Sequence, residues 1–130
     1  MASTNQKLKT KFWTIFSEYI RRRDADFNGY VACCSCGKVK HWKQMDAGHY
    51  IAKNEGLAIY FEEKNVHSQC RWCNYNMHAR AQQYALFLIR RYGPQILEEL
   101  DWKSKQRIQI HDNEYLKFIE LYKEKIKKLN

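Results

Sequence analysis

Two Cys-x-x-Cys pairs, Cys33 and Cys36 in "CCSCG" and Cys70 and Cys73 in "CRWC", constrain this chain more than any other feature. Two residues between cysteines let both thiolates reach one ion from a tight turn, and the glycine after Cys36 eases that turn. Two such pairs supply the four soft ligands that tetrahedral zinc prefers. Reduced, buried cysteines seldom fall into paired spacing by chance. An ion held by four cysteines has no open coordination position, so it is expected to be structural. It would pin a region with too little apolar core to stand alone. The intervening stretch 37–69 exceeds the roughly 15–20 residues of a simple zinc ribbon. Something is therefore inserted between the knuckles. Cys34 is left over and reads as a packed free thiol.

The flanking segments are helical in pattern. In 5–23, "NQKLKTKFWTIFSEYIRRR", Leu8, Phe12, Ile15, Phe16, Tyr19 and Ile20 recur at three- and four-residue intervals, which predicts an amphipathic helix. Asn28-Gly29 then marks a turn. Between residues 30 and 69 the segments "YVACC", "VKHWKQM", "GHYI" and "AIYF" are rich in β-branched and aromatic residues and read as short strands. From about Cys70 the helical pattern returns. "YALFLIRRYG" ends at Gly93, and Pro94 opens "PQILEELDW" as a first-turn proline. Asp112 or Asn113 is expected to cap a last helix whose stripe is Tyr115, Phe118, Ile119, Tyr122 and Ile126. Nine Tyr, six Phe, four Trp and a single Pro suit a folded, largely helical chain rather than a disordered one. The four tryptophans (Trp13, Trp42, Trp72 and Trp102) are assigned to the core rather than to base stacking. The expected class is α+β, a single domain over 1–130. It comprises a basic N-terminal helix (5–23), a zinc-stapled core (30–91) and C-terminal helices (94–130).

A formal net charge of +9 on 130 residues favours a polyanionic partner, nucleic acid first and a membrane surface second. A protein that is basic without a polyanionic partner is the plainer alternative. No stretch approaches the roughly 20 apolar residues of a membrane span. The polar start "MASTNQKLKTK" has no apolar signal-peptide region. The chain is therefore expected to be soluble and intracellular, with reduced cysteines.

A second constellation lies between and after the knuckles: Asp46, His49, Asn65, His67, Asn74 and His78. Asn74 and His78, four residues apart, would share one face of the helix that starts near Cys70. An amide or carboxylate oxygen plus an imidazole suits a hard divalent ion. Each residue alone has a plainer explanation, since a lone helical His is more often a surface or packed residue than a ligand. His67 reads as structural or as a DNA contact. His41 and His111 belong to no constellation.

The order Cys-x-x-Cys, Gly-His, Asn, Cys-x-x-Cys-Asn resembles the HNH, or ββα-metal (His-Me finger), nucleases. More closely, "FSEYIRRRDADFNGYVACCSCGK", "MDAGHYIA", "NVHSQCRWCN" and "RYGPQILEEL" are similar to the bacteriophage lambda NinG (Rap) recombination-endonuclease family, over most of the chain from about residue 7. The resemblance implies a treble-clef-like, zinc-stapled ββα-metal core. It implies His49 as general base, Asn65 as the loop anchor, and Asn74 as a ligand of a catalytic Mg²⁺ or Mn²⁺. His78 falls where some members have a second helical ligand. Many HNH enzymes carry Asp or His immediately before the base, where this chain has Gly48. Strand alternation puts Asp46 on the same face as position 48, with no side chain there to obstruct it, so Asp46 could reach the ion instead. A plain strand-edge Asp is the alternative.

The resemblance implies a phage-encoded enzyme, working in the bacterial host cytoplasm, that cuts branched recombination intermediates such as D-loops and Holliday junctions. His49 would take a proton from the attacking water, and one metal ion would stabilise the leaving oxygen. Lys7, Lys11, Arg21, Arg22, Arg23, Arg71, Arg90 and Arg91 are the expected phosphate contacts. Symmetric cutting would favour a homodimer, and contacts with host recombination proteins stay open. A zinc-stabilised DNA-binding recombination accessory protein without nuclease activity fits the charge and cysteines equally well. An RNA-binding zinc protein is a third reading.

Overall fold

The computed structural model describes residues 2–76 and 80–129. His78 lies outside them. Ser3 opens the first helix, α1 (Thr4–Arg23), by accepting the Gln6 N–H at 3.2 Å. This satisfies one of the donors that a helix N-terminus leaves unpaired. The apolar stripe of α1 buries Phe12, Phe16 and Ile20. They pack against Tyr115, Ile119 and Tyr122 of the last helix, α6 (Asp112–Lys127), 90 or more residues away in sequence. Phe61 joins this cluster, its ring 4.7 Å from that of Phe12 and 5.7 Å from that of Phe16.

Between these helices lie two antiparallel ribbons. β1 (Tyr30–Ala32) pairs with β2 (Val39–His41), with Tyr30 opposite His41. β3 (Met45–His49) pairs with β4 (Val66–Cys70), with Met45 opposite Cys70 and His49 opposite Val66. Every residue of β4 is buried, because α1 covers one face of the β3–β4 ribbon and α4 approaches the other. The chain runs from Cys70 straight into α3 (Arg71–Tyr75). It then continues through α4 (Ala81–Tyr92) and α5 (Ile96–Ser104). Tyr84 and Leu88 of α4 meet Ile96 and Leu100 of α5 and Ile59 in a second core. The described residues thus form an α+β protein with two small sheets and six helices. None of these helices is long and apolar enough to cross a membrane.

The sequence expectations fail at four places, each for a local reason. "AIYF" is not a strand. Leu57–Tyr60 forms the short helix α2, where a four-residue apolar run fits either period. "VKHWKQM" is not continuous either, because Trp42–Gln44 closes a 3-10 turn in which the His41 imidazole accepts the Lys43 N–H at 3.2 Å. Pro94 stands in the turn before α5 rather than inside its first turn. The cap of α6 is His111, not Asp112 or Asn113; its N–H donates to Glu114 at 3.0 Å.

Candidate metal and catalytic cleft

The cysteine cluster forms where the β1–β2 ribbon folds against the end of β4. The Sγ atoms of Cys33, Cys36, Cys70 and Cys73 lie within 4.8 Å of one another. Those of Cys36 and Cys70 are 3.8 Å apart, and the edge of a thiolate tetrahedron around zinc is about 3.8 Å for bonds of about 2.3 Å. Each pair makes a knuckle: Cys33 Sγ accepts the N–H groups of Ser35 and Cys36, both at 3.4 Å, and Cys70 Sγ accepts that of Cys73 at 3.5 Å. Burial alone would raise the Cys33 thiol, but backbone N–H groups of Cys36, Cys70 and Ser35 outweigh it and hold its pKa below the ordinary value. These four cysteines are positioned to hold one metal ion. Cys34 is turned away into the Tyr84–Leu88 core, as a packed thiol should be.

On the other side of β3 opens a cleft of about 790 Å³. Asp46 and His49 reach it from β3, and Arg71 and Asn74 from α3. Trp13, Ser17 and Arg21 reach it from α1, where four-residue spacing aligns them on one helix face. The Asn74 side-chain N–H donates to Asp46 Oδ2 at 3.1 Å, and Arg71 Nε stands 3.6 Å from Asp46 Oδ1. This hydrogen bond orients the Asn74 amide, and among the described residues no donor engages its oxygen.

His49 is held on three sides. Its Nε2 lies 2.9 Å from the Tyr60 carbonyl oxygen. A carbonyl can only accept, so Nε2 carries the proton and Nδ1 is left as the basic nitrogen. Trp13 stacks on the imidazole at 5.1 Å and 23°, and the Tyr60 ring meets it edge-on at 5.3 Å. Burial, opposed by the Tyr60 carbonyl and helped by nearby Lys53, lowers the His49 pKa to about 4. At neutral pH the ring is uncharged.

Asn65 anchors the loop that delivers Tyr60. It is fully buried. Its amide donates to the carbonyls of Ile51 and Ile59 at 3.0 and 3.2 Å, and its Oδ1 accepts the Ile51 N–H at 2.9 Å. The backbone beneath His49 is tied down from α4: Tyr84 O–H donates to the Gly48 carbonyl at 2.7 Å. His67 is wholly structural, its Nδ1 3.2 Å from the Tyr84 hydroxyl and its Nε2 2.8 Å from that of Tyr92. Burial, then Arg23 and Arg91, lower its pKa to about 3. Gly48 has a reason of its own. A Cβ there would strike the buried side chain of Gln69, so the absence of a side chain accommodates Gln69.

The expected phosphate contacts divide. Arg21 and Arg71 line the cleft. Arg23 is a structural residue, with hydrogen bonds of 3.1 Å to the carbonyls of both Glu63 and Val66. Arg91 pairs with Asp24 at 2.7 Å and Arg22 with Glu18 at 3.0 Å. Lys7, Lys11 and Arg90 are exposed but are not among the cleft's lining residues. The tryptophan assignment needs correction, since Trp72 is 55% and Trp102 63% exposed. Trp13 is the residue the sequence reading missed. Its signal was the 13–17–21 stripe beside the apolar one.

An α+β protein with four cysteines positioned to hold a metal ion and an adjoining His/Asp/Asn cleft is the class these features define. A family model described as Bacteriophage Lambda NinG protein matches residues 3–130, and the chain belongs to that family. It is 35% identical over 83 residues to "Protein ninG" of Escherichia phage lambda, covering 64% of this chain and 38% of that protein. To "Protein ninG" of Salmonella phage P22 it is 34% identical over 88 residues, covering 68% of this chain and 41% of the relative. The matched segments thus span about two fifths of those relatives' length. No solved structure matches.

Proposed function

We propose that this protein is a metal-dependent DNA endonuclease of the HNH type that hydrolyses phosphodiesters in branched recombination intermediates, such as D-loops and Holliday junctions, with His49 as general base. The observation that carries the reading is the His49 Nε2 contact to the Tyr60 carbonyl, 2.9 Å. It fixes the tautomer whose Nδ1 can accept a proton, beside Asp46 and Asn74 in one cleft. Such an orienting acceptor serves a catalytic histidine as the carboxylate does in a triad. The antiparallel β3–β4 ribbon followed by α3 is the arrangement that a ββα-metal core requires.

Asp46 and Asn74 offer hard oxygen donors, a set that suits Mg²⁺ or Mn²⁺ and not a soft ion. When bound there, such an ion would acidify water and stabilise charge on the leaving oxygen. His49, uncharged at neutral pH, takes the proton of the attacking water at Nδ1. Trp13 and the Tyr60 ring keep the imidazole plane fixed while it does so. Arg21, Lys43, Lys53 and Arg71 in the cleft wall balance the charge of the scissile and flanking phosphates. The cysteine cluster holds structural zinc in this reading and takes no part in the chemistry. Catalytic activity, branched-DNA preference and a working place in the host cytoplasm are parts of the same proposal.

Incubating the purified protein with labelled four-way junction, linear duplex and single strand in Mg²⁺ or Mn²⁺ tests it. Cleavage that requires the divalent ion and favours the junction is the expected result. No cutting of any substrate would favour the accessory-protein reading.

A further inference from the structure

Residues Asp26–Gly29 form a tight turn between α1 and β1. The Asp26 carboxylate accepts the N–H groups of Asn28 and Tyr30, both at 2.9 Å, and the Asp26 N–H donates to the Tyr30 carbonyl at 2.7 Å. Gly29, at φ 89°, takes the left-handed conformation that closes the turn. The result is a well-tied turn that carries Phe27 at its tip, 97% exposed. Isolated apolar side chains on a surface need no explanation, but this one is not isolated. Tyr30 and Val39, on the same face of the β1–β2 ribbon, are 49% and 61% exposed.

Trp42 joins this turn to two cations of the cleft. The Gly29 carbonyl accepts the Trp42 N–H at 2.9 Å. The Trp42 ring carries the Arg21 guanidinium at 5.2 Å and the Lys43 ammonium at 5.8 Å. Arg21 and Lys43 are the same residues that line the cleft. A partner lying along this path must supply phosphate-like charge at one end and a flat, accessible apolar face at the other. Nucleic acid with an unstacked base has both, whereas an intact duplex hides its base faces. Pushing a ring between stacked pairs costs unstacking energy that a branch point has already lost.

We propose that Phe27 is a specificity-determining residue, its ring stacking on an unstacked base while Arg21 and Lys43 hold the phosphates that lead into the cleft. This rests on the reading that the chain acts on DNA. The ring selects branched over linear DNA and does not touch the reacting atoms.

The test measures affinities of the intact protein, without added divalent ion, for a synthetic four-way junction and a linear duplex of equal length. The junction carries 2-aminopurine at its branch point. Phe27→Ala is expected to weaken junction binding about tenfold, in the range of a lost base–aromatic stack, and to abolish the 2-aminopurine change. Duplex affinity should stay the same, and Phe27→Trp should restore junction binding. Unchanged junction affinity and fluorescence in Phe27→Ala would overturn the inference, leaving the nuclease reading intact and pointing to a protein partner for this face. Equal weakening on both DNAs would overturn it too, as a general contact. Failure of the wild type to bind any DNA would instead overturn the reading on which the inference rests.

Discussion

At the residue scale, the candidate site depends on side chains that hold other groups in place. Asn65 is the clearest case, since its three hydrogen bonds join the start and end of the loop that presents the Tyr60 carbonyl to His49. Asn65→Ala would leave the Ile51 carbonyl and N–H without the Asn65 amide in a partly buried place, while the Ile59 carbonyl keeps its backbone donors. The expected cost is about 3 kcal/mol of stability, since each unpaired buried group costs roughly 1–3 kcal/mol. Chemical denaturation checks it; a loss well under about 1 kcal/mol would mean that the loop closes without this residue. The placement of His49 and Asn74 in one cleft, with Asn65 tying the loop beside it, was legible because motif order brings them together. The Trp13 stack and the Tyr60 carbonyl were not, because both reach His49 through tertiary contacts between segments distant in sequence. Gly48 shows the same limit, since its close neighbour Gln69 comes from the partner strand.

At the element scale, the knuckles and the two amphipathic helices do different work. α1 and α6 are joined by an aromatic core that needs no ion. The β1–β2 ribbon has little apolar core and meets the β3–β4 ribbon through Val31, Met45 and the cysteines. Cys36→Ser is therefore expected to lose the bound metal and to loosen the ribbon, while the α1–α6 core persists. Metal analysis with hydrogen exchange would check both parts; full metal retention would show that three cysteines suffice. The helices were legible from their apolar spacing, and the knuckles from cysteine pairing. The helix α2 was not, because a four-residue apolar run has no readable period. Trp72 and Trp102 misled for a related reason: composition says that a tryptophan is large and apolar, not whether a neighbour covers it.

At the scale of the whole molecule, acid should unfold this protein earlier than its basic composition suggests. His49 and His67 are held neutral, with pKa values of about 4 and about 3 against an ordinary 6.5. Below pH 6.5 the unfolded chain takes up protons that the folded one refuses. Stability therefore falls as pH drops from about 6.5 toward 4 for His49, and on toward 3 for His67, while above 6.5 neither residue contributes. Asp24 and Glu63 act in the same direction at lower pH. Burial would raise both carboxyls, but Arg91 at Asp24 and Lys125 at Glu63 hold them below the usual range. Thermal melts between pH 7.5 and 4 would reveal the decline. A flat midpoint across that range would show that the two histidines are protonated in the folded state.

The proposal as a whole places proton transfer at one nitrogen, and one substitution isolates it. His49→Ala should keep its fold, the metal-binding capacity of its four cysteines and its affinity for a four-way junction. Removal of a general base typically costs roughly 10²–10⁴-fold in rate, so its cleavage rate with Mg²⁺ or Mn²⁺ should fall by about that much. Cleavage by this variant at the wild-type rate would contradict the account.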